Sequence, residues 1–352
     1  MTMRVELIDE PVSQQGLPSR WPKRVSWLVV CLTFPLIWVG GLVTTTDAGM
    51  AVPDWPTTYG YNMFLYPWYT WILGPWDLFI EHGHRLLGSV VGMVSIALVI
   101  VVLKKDHRPW MRKLVVIALL AVIAQGILGG LRVRENEVLI AMLHGCTGPV
   151  FFALSVVIAN AFTVYWNDPL RQCETEQGGM QLLLVKPLRL VTTTTVLVYF
   201  QLILGASIRH IPVTASTQTF SMLVIFHLIM ALAVTGHVIA VAISLRKRQG
   251  LSPAVHRPAK WLMFGVLLQV GLGIGTWIFK YGWPMGLGEN KLFANHLVVT
   301  YSWSQSHVTT AHAATGSLLL IFCVVLTTRL RRLKYVLEQV GDDQTESVVT
   351  DE

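Results

Sequence analysis

The sequence predicts an all-α polytopic membrane protein, with eight transmembrane helices arranged as two pseudo-symmetric four-helix bundles. Three observations predict this class. The 352-residue chain is 53% hydrophobic and only 13% charged, where a soluble domain carries about 25% charged residues. Its mean hydropathy is +0.55. Eight apolar stretches, at 26–46, 83–103, 113–131, 140–163, 189–208, 220–245, 260–280 and 308–329, are each long enough to span a bilayer, which takes about 20 residues.

Charge placement sets the direction of these spans. With the N-terminus inside, all but six of the 27 Lys and Arg residues fall in inner segments, and only Arg85, Arg132, Arg134, Arg209, Lys280 and Lys291 lie outside. Such a positive-inside bias orients a membrane protein and places both termini in the cytoplasm. It also accounts for the net charge of +7 without any nucleic acid. The segment Met1–Ser19 is polar and carries Glu6, Asp9 and Glu10. It lacks the basic start, apolar run and cleavage site of a secretory signal, and it is short and acidic for an organelle transit peptide, so a bacterial inner (plasma) membrane is expected. The chain beyond Tyr335 is acidic and reads as a disordered tail.

The resulting organisation is a cytoplasmic N-terminal segment (1–25), a first bundle (26–165), a cytoplasmic linker (166–188), a second bundle (189–330) and an acidic cytoplasmic tail (331–352). The four cysteines, Cys31, Cys146, Cys173 and Cys323, form no CxxC pair, so no zinc motif or disulfide framework is indicated. Cys31 and Cys323 read as small apolar residues.

The two halves repeat. His84-Arg85-Leu86-Leu87 corresponds to His227-Leu228-Ile229-Met230, and His144-Gly145-Cys146-Thr147-Gly148 to His312-Ala313-Ala314-Thr315-Gly316. Between them, Gln125 and Gly129 match Gln269 and Gly273 in Gln-x-x-x-Gly motifs. The second half carries a longer final outer loop, Tyr281 to His307. Four spans per unit give the repeats the same orientation.

Ionisable residues within membrane helices are costly and usually functional. A lone histidine would read as a buried hydrogen-bonding residue. Four at duplicated positions on one membrane side instead point to two sites in which haem iron takes an axial imidazole from each side, His84 with His144 and His227 with His312. The halves differ around the first ligand. Glu81 and Arg85 flank His84, whereas Val224 and Leu228 occupy the matching places. A carboxylate there can move a proton or stabilise developing positive charge, and the arginine can pair with a haem propionate. The simpler reading is a Glu81–Arg85 ion pair at the helix mouth. His82 points to the other side of its helix, and His296 and His307 read as solvated loop residues. The first outer loop, 46–80, holds Asp47, Asp54 and Asp77 among several tryptophans, and it has no Lys or Arg.

Gly-Leu-Val-Thr-Thr-Thr-Asp-Ala-Gly (41–49), Pro-Asp-Trp-Pro (53–56), Glu-x-x-His-Arg (81–85) and the His144 motif resemble the haem A synthase family, and the resemblance extends over nearly the whole chain. It implies oxidation of the C8 methyl of haem O to the formyl of haem A, by successive hydroxylations and loss of water. Glu81 would be the catalytic carboxylate, His84 and His144 would face the substrate haem O, and His227 and His312 would ligate a permanent haem b. Haem O synthase and terminal oxidase assembly factors are the partners so implied, with an electron donor still to be identified. Many bacterial members place a cysteine pair around Pro-Asp-Trp-Pro; here those places hold Val52 and Thr58, which excludes a thiol role in that loop. Two rival readings are a dihaem cytochrome b-type electron carrier and a haem transporter or chaperone.

Overall fold

The computed structural model describes residues 20–170, 180–212, 214–248, 250–282 and 302–350, with side chains for all of these except 180–182 and 341–350. The expectations for Cys173, Lys291, His296, the N-terminal segment before residue 20 and most of the last outer loop fall outside the described residues. Long helices dominate: α1 (Arg20–Thr45), α3 (Trp76–Lys105), α4 (Pro109–Glu135), α5 (Val138–Asn160), α7 (Met180–Arg209), α8 (Thr217–Arg246), α9 (Pro253–Tyr281) and α10 (Trp303–Thr350). Each is long and apolar enough to cross a membrane. The chain is an all-α multi-pass membrane protein.

The eight helices coincide with the eight apolar stretches but begin earlier or run further. Their ends explain why. Pro75 precedes α3, Asp77 lies in its first turn and Lys104 and Lys105 in its last, charges that suit the helix dipole. Pro109 opens α4 and Asn136 ends it in a left-handed conformation. The hydroxyl of Ser216 caps α8, and that of Ser252 caps α9 ahead of Pro253. Because α3 starts at Trp76, Glu81 and His84 both stand inside a formed helix.

Among the membrane helices, α1 packs on α3 and α5, and α4 packs on the same two; α7 packs on α8 and α10, and α9 likewise. Contacts of α10 with α1 and α5 join these groups. Val91, Leu98, Met111 and Phe151 bury in one apolar core, and Leu184, Val238, Leu262 and Leu326 in another. A smaller cluster of Val30, Phe152, Val156 and Ile321 fills the seam between them.

Two expectations are corrected by α10. The segment from 331 onward is not a loose tail, because the backbone of α10 stays helical through Thr350. Leu326, Leu330, Leu333 and Leu337 recur at helical spacing and are buried, and Lys334 Nζ pairs with Glu338 at 2.5 Å. That stripe packs the helix as far as Leu337, and the backbone stays helical beyond it. His307 likewise belongs to α10 and stacks on Trp303, with ring centres 5.0 Å apart, so it is a helix residue and not a loop residue.

The loop between α1 and α3 is ordered. It contains a two-stranded antiparallel hairpin, β1 (Thr57–Thr58) and β2 (Tyr61–Asn62), followed by a 3₁₀ turn (Met63–Leu65) and the short helix α2 (Trp68–Ile72). Tyr59 and Gly60 turn the hairpin with positive φ angles, the backbone of a tight two-residue connection. Asp54 accepts from both their N–H groups, at 2.7 and 2.8 Å. Partial burial raises the Asp54 pKa, but hydrogen bonds from Thr57, Gly60 and Tyr59 outweigh it and hold the carboxyl below its ordinary value.

Candidate functional site

The repeated histidines meet in pairs. His84 on α3 faces His144 on α5 with ring centres 6.5 Å apart, and His227 on α8 faces His312 on α10 at 6.2 Å. Two imidazoles on opposite sides of one metal ion, each bonded at about 2.0–2.1 Å and with about 1 Å from nitrogen to ring centre, stand roughly 6 Å apart. Both separations fit that arrangement. Among the described residues, Nδ1 of all four rings is buried without a hydrogen bond of normal geometry. His84, His144 and His312 instead face the backbone carbonyls of Leu36, Gln125 and Gln269 more loosely. A carbonyl in that place fixes the orientation of a ligating ring.

Each ring rests on a glycine of the preceding long helix. A methyl group at Gly40, Gly129, Gly205 or Gly273 would lie 2.7, 3.3, 3.3 or 3.0 Å from Cε1 of His84, His144, His227 or His312 respectively. The glycine stands four residues after Leu36, Gln125, Gln201 or Gln269, on the same helix face. The Gln-x-x-x-Gly motif is therefore a histidine cradle. The glutamine also bonds the threonine of His-x-x-Thr-Gly: Gln125 with Thr147, and Gln269 with Thr315, both at 2.5 Å. Sequence reading found two of the four positions, Gln125 with Gly129 and Gln269 with Gly273, as marks of the repeat but not as cradles. It missed Gln201 with Gly205, although that segment repeats the motif, and Gly40, where leucine replaces the glutamine.

The second pair has a difference of its own. Gln201 Nε2 lies 3.1 Å from His227 Nε2 and donates to the His227 carbonyl at 3.1 Å. Ligation through that ring nitrogen requires the amide to turn away. Leu36 at the matching place makes no such demand on His84.

Glu81 and Arg85 accompany only the first pair. Glu81 is 2% exposed, with Oε1 paired to Arg85 at 2.8 Å and Oε2 accepting from the Val52 N–H at 2.8 Å. Arg85 also donates to the carbonyls of Val52 (2.7 Å), Asp54 (2.7 Å) and Thr57 (3.2 Å). In this arrangement Arg85 anchors the loop between α1 and α3 on α3 and orients Glu81. His82, the neighbour set aside on sequence, is the other anchor: it is buried, its Nδ1 lies 3.2 Å from Thr58 Oγ1, and its ring packs on Tyr66 and Trp71. Val52 and Thr58, the places of the absent cysteine pair, are both fully buried. Each fastens the loop to α3 without a covalent link.

Two further cations sit at this end. The Arg132 guanidinium covers Gly49 and lies near Glu81, Arg85 and Asp47. Arg209 donates to Thr45 Oγ1 at 2.6 Å and to the Gly41 carbonyl, while its Nε is buried with no partner among the described residues. It ties the end of α7 to α1. Neither position announced itself in the sequence beyond being an outer-side arginine.

A profile of the family described as cytochrome oxidase assembly protein matches residues 76–223. These residues include Glu81, His84, Arg85, His144, Gln201 and Gly205, and they end just before His227. The chain is also similar to the heme A synthase of Shouchella clausii (strain KSM-K16), at 34% identity over 136 residues. That alignment covers 38% of this chain and 42% of the relative, so the chain spans about two fifths of the relative's length. The resemblance to haem A synthases drawn from the motifs is thus met by both findings.

Proposed function

We propose that this protein is a haem A synthase, which oxidises the C8 methyl of haem O to the formyl of haem A. One observation carries the reading: two matched histidine pairs, of which, among the described residues, only one has a buried, oriented carboxylate beside it. Haem O is placed as substrate between His84 and His144 in a first four-helix bundle (α1, α3, α4, α5). A resident haem b is placed between His227 and His312 in a second (α7, α8, α9, α10). Bound there, haem b supplies one-electron redox chemistry. The inner membrane of a bacterium, with both termini cytoplasmic, is the location that the charge bias supports.

The residues of the first site suit a methyl oxidation. Glu81 stands one helical turn before His84, and both its oxygens are fixed by the Val52 N–H and Arg85. A carboxylate has about four lone-pair sites, so each oxygen retains capacity toward the substrate. Held in this way, Glu81 is set to accept a proton, or to stabilise positive charge that develops as the methyl is attacked, at little cost in reorganisation. The loop anchored by Arg85 and His82 limits water at that end. Arg132 and Arg209, rather than Arg85, whose terminal nitrogens are taken up by Glu81 and the loop carbonyls, are the cations assigned to the haem carboxylates.

A dihaem electron carrier would call for sites stacked across the membrane, and it offers no role for a carboxylate at one site alone. The test is to express the chain in membranes supplied with haem O and to analyse extracted haems by chromatography and mass. Haem A or its hydroxylated precursor is the expected product. Unchanged haem O rejects the synthase reading and leaves the carrier and the transporter.

A further inference from the structure

At the Lys- and Arg-rich end of the helices, far along the chain from every residue of the haem sites, lies a cavity of about 340 Å³ lined by Arg108, Trp110, Trp166, Asn167, Arg332 and Tyr335. Three segments build it. Arg108 and Trp110 come from the start of α4, Trp166 and Asn167 from the short helix α6 (Val164–Asn167), and Arg332 and Tyr335 from α10. The walls are cations laid on aromatic rings. The Arg332 guanidinium carbon sits 5.6 Å from the ring centres of both Trp166 and Tyr335, and that of Arg108 5.1 Å from Trp110.

The charge is unequally spent. Arg108 is neutralised by Asp106, at 2.6 Å between its terminal nitrogen and the carboxylate. Arg332 gives Nε to the Trp166 carbonyl at 3.0 Å, and among the described residues neither of its terminal nitrogens has a hydrogen-bonding or ion-pair partner. A planar guanidinium over two rings, with its terminal nitrogens unpaired among the described residues, matches a phosphate. The aromatic rim says which phosphate. Trp110 and Tyr335 are 43% and 53% exposed, as befits interfacial residues that sit at the headgroup level. Two turns on from Trp110, along the same stripe of α4, Ile117 is 53% exposed, an apolar track fit for an acyl chain.

We propose that this cavity binds the phosphodiester headgroup of an anionic phospholipid, clamped by Arg332 and braced by Trp110, Trp166 and Tyr335. Basic pockets between membrane helices recognise such headgroups. Because the cavity joins α4 and α6 to α10, a bound lipid ties the first group of helices to the last helix.

Native mass spectrometry of the full chain in neutral detergent tests this, with phosphatidylglycerol and phosphatidylcholine as probes. Phosphatidylglycerol should be retained in preference, and Arg332→Gln should cut that preference by about five- to tenfold. Arg331→Gln, the same charge loss at the exposed neighbour, should leave it. Should Arg332→Gln not fold, Tyr335→Leu at its exposed site should lower the preference in the same direction. Equal retention of the two lipids, equal loss in Arg331→Gln, or no loss in either pocket variant overturns the proposal. So does displacement of the lipid by millimolar inorganic phosphate, which would make the cavity a site for free anions.

Discussion

Gly40 lies so close to His84 that a methyl group in place of its hydrogen would come within 2.7 Å of the ring carbon Cε1. Backbone on one side and a ring needed in a fixed orientation on the other leave little room to adjust. Gly40→Ala should cost about 1–3 kcal/mol of overpacking, on the order of 10- to 100-fold in haem affinity. Gly273→Ala, at 3.0 Å from His312, should do the same to the second haem. Haem titration followed by absorbance reads both. Gly92→Ala, with nothing within 4 Å, is the control. Equal effects at all three positions would remove the cradle argument.

Arg85 holds four acceptors, and only one of them is Glu81. Arg85→Lys keeps the charge but loses the planar fork that reaches Val52, Asp54 and Thr57 together. Charge-assisted hydrogen bonds contribute about 1.5–3 kcal/mol each, so loss of one such bond speeds local opening of the loop roughly 10- to 100-fold. Hydrogen exchange should rise at Val52 and through 54–60, with the helices unchanged. Unaltered exchange there would show that the loop is held by His82 alone.

Much of this was legible in the chain. Eight apolar stretches and the charge bias gave the spans, and the duplicated histidine motifs gave the pairs that now face each other. What stayed hidden depended on approach between distant segments. Gly205 carries the local Gln-x-x-x-Gly pattern, but nothing local marks Gly40, and the meaning of either glycine is the ring of another helix. His82 looked incidental because its partners, Thr58, Tyr66 and Trp71, come from a loop whose fold no periodicity reports. The helical course of residues 331–350 was obscured by their acidic composition, which conceals the leucine stripe leading into them.

The hairpin turn at Tyr59 and Gly60 depends on an ionised Asp54. Its carboxyl is held below the ordinary 3.8, so the stabilisation is present above that value and is lost as pH falls through the lower, folded one. Amide protection at Tyr59 and Gly60 should therefore persist in acid down to below 3.8, and Asp54→Asn should remove the pH dependence. Protection lost at pH values above 3.8 would show that another group governs the turn.

Gln201 covers the ring nitrogen of His227, whereas Leu36 leaves His84 uncovered. Gln201→Leu should speed haem capture by the second site, measured as the rise of haem absorbance after rapid mixing, and should leave the first site's rate alone. A slower or unchanged rate would show that the amide turns away at no cost.

Glu81 carries the central claim, and extracted haems test it most directly. With haem O supplied, the wild-type chain should yield haem A, while Glu81→Gln should retain a full complement of bound haem and yield unmodified haem O. Haem A at wild-type levels from Glu81→Gln would contradict the account.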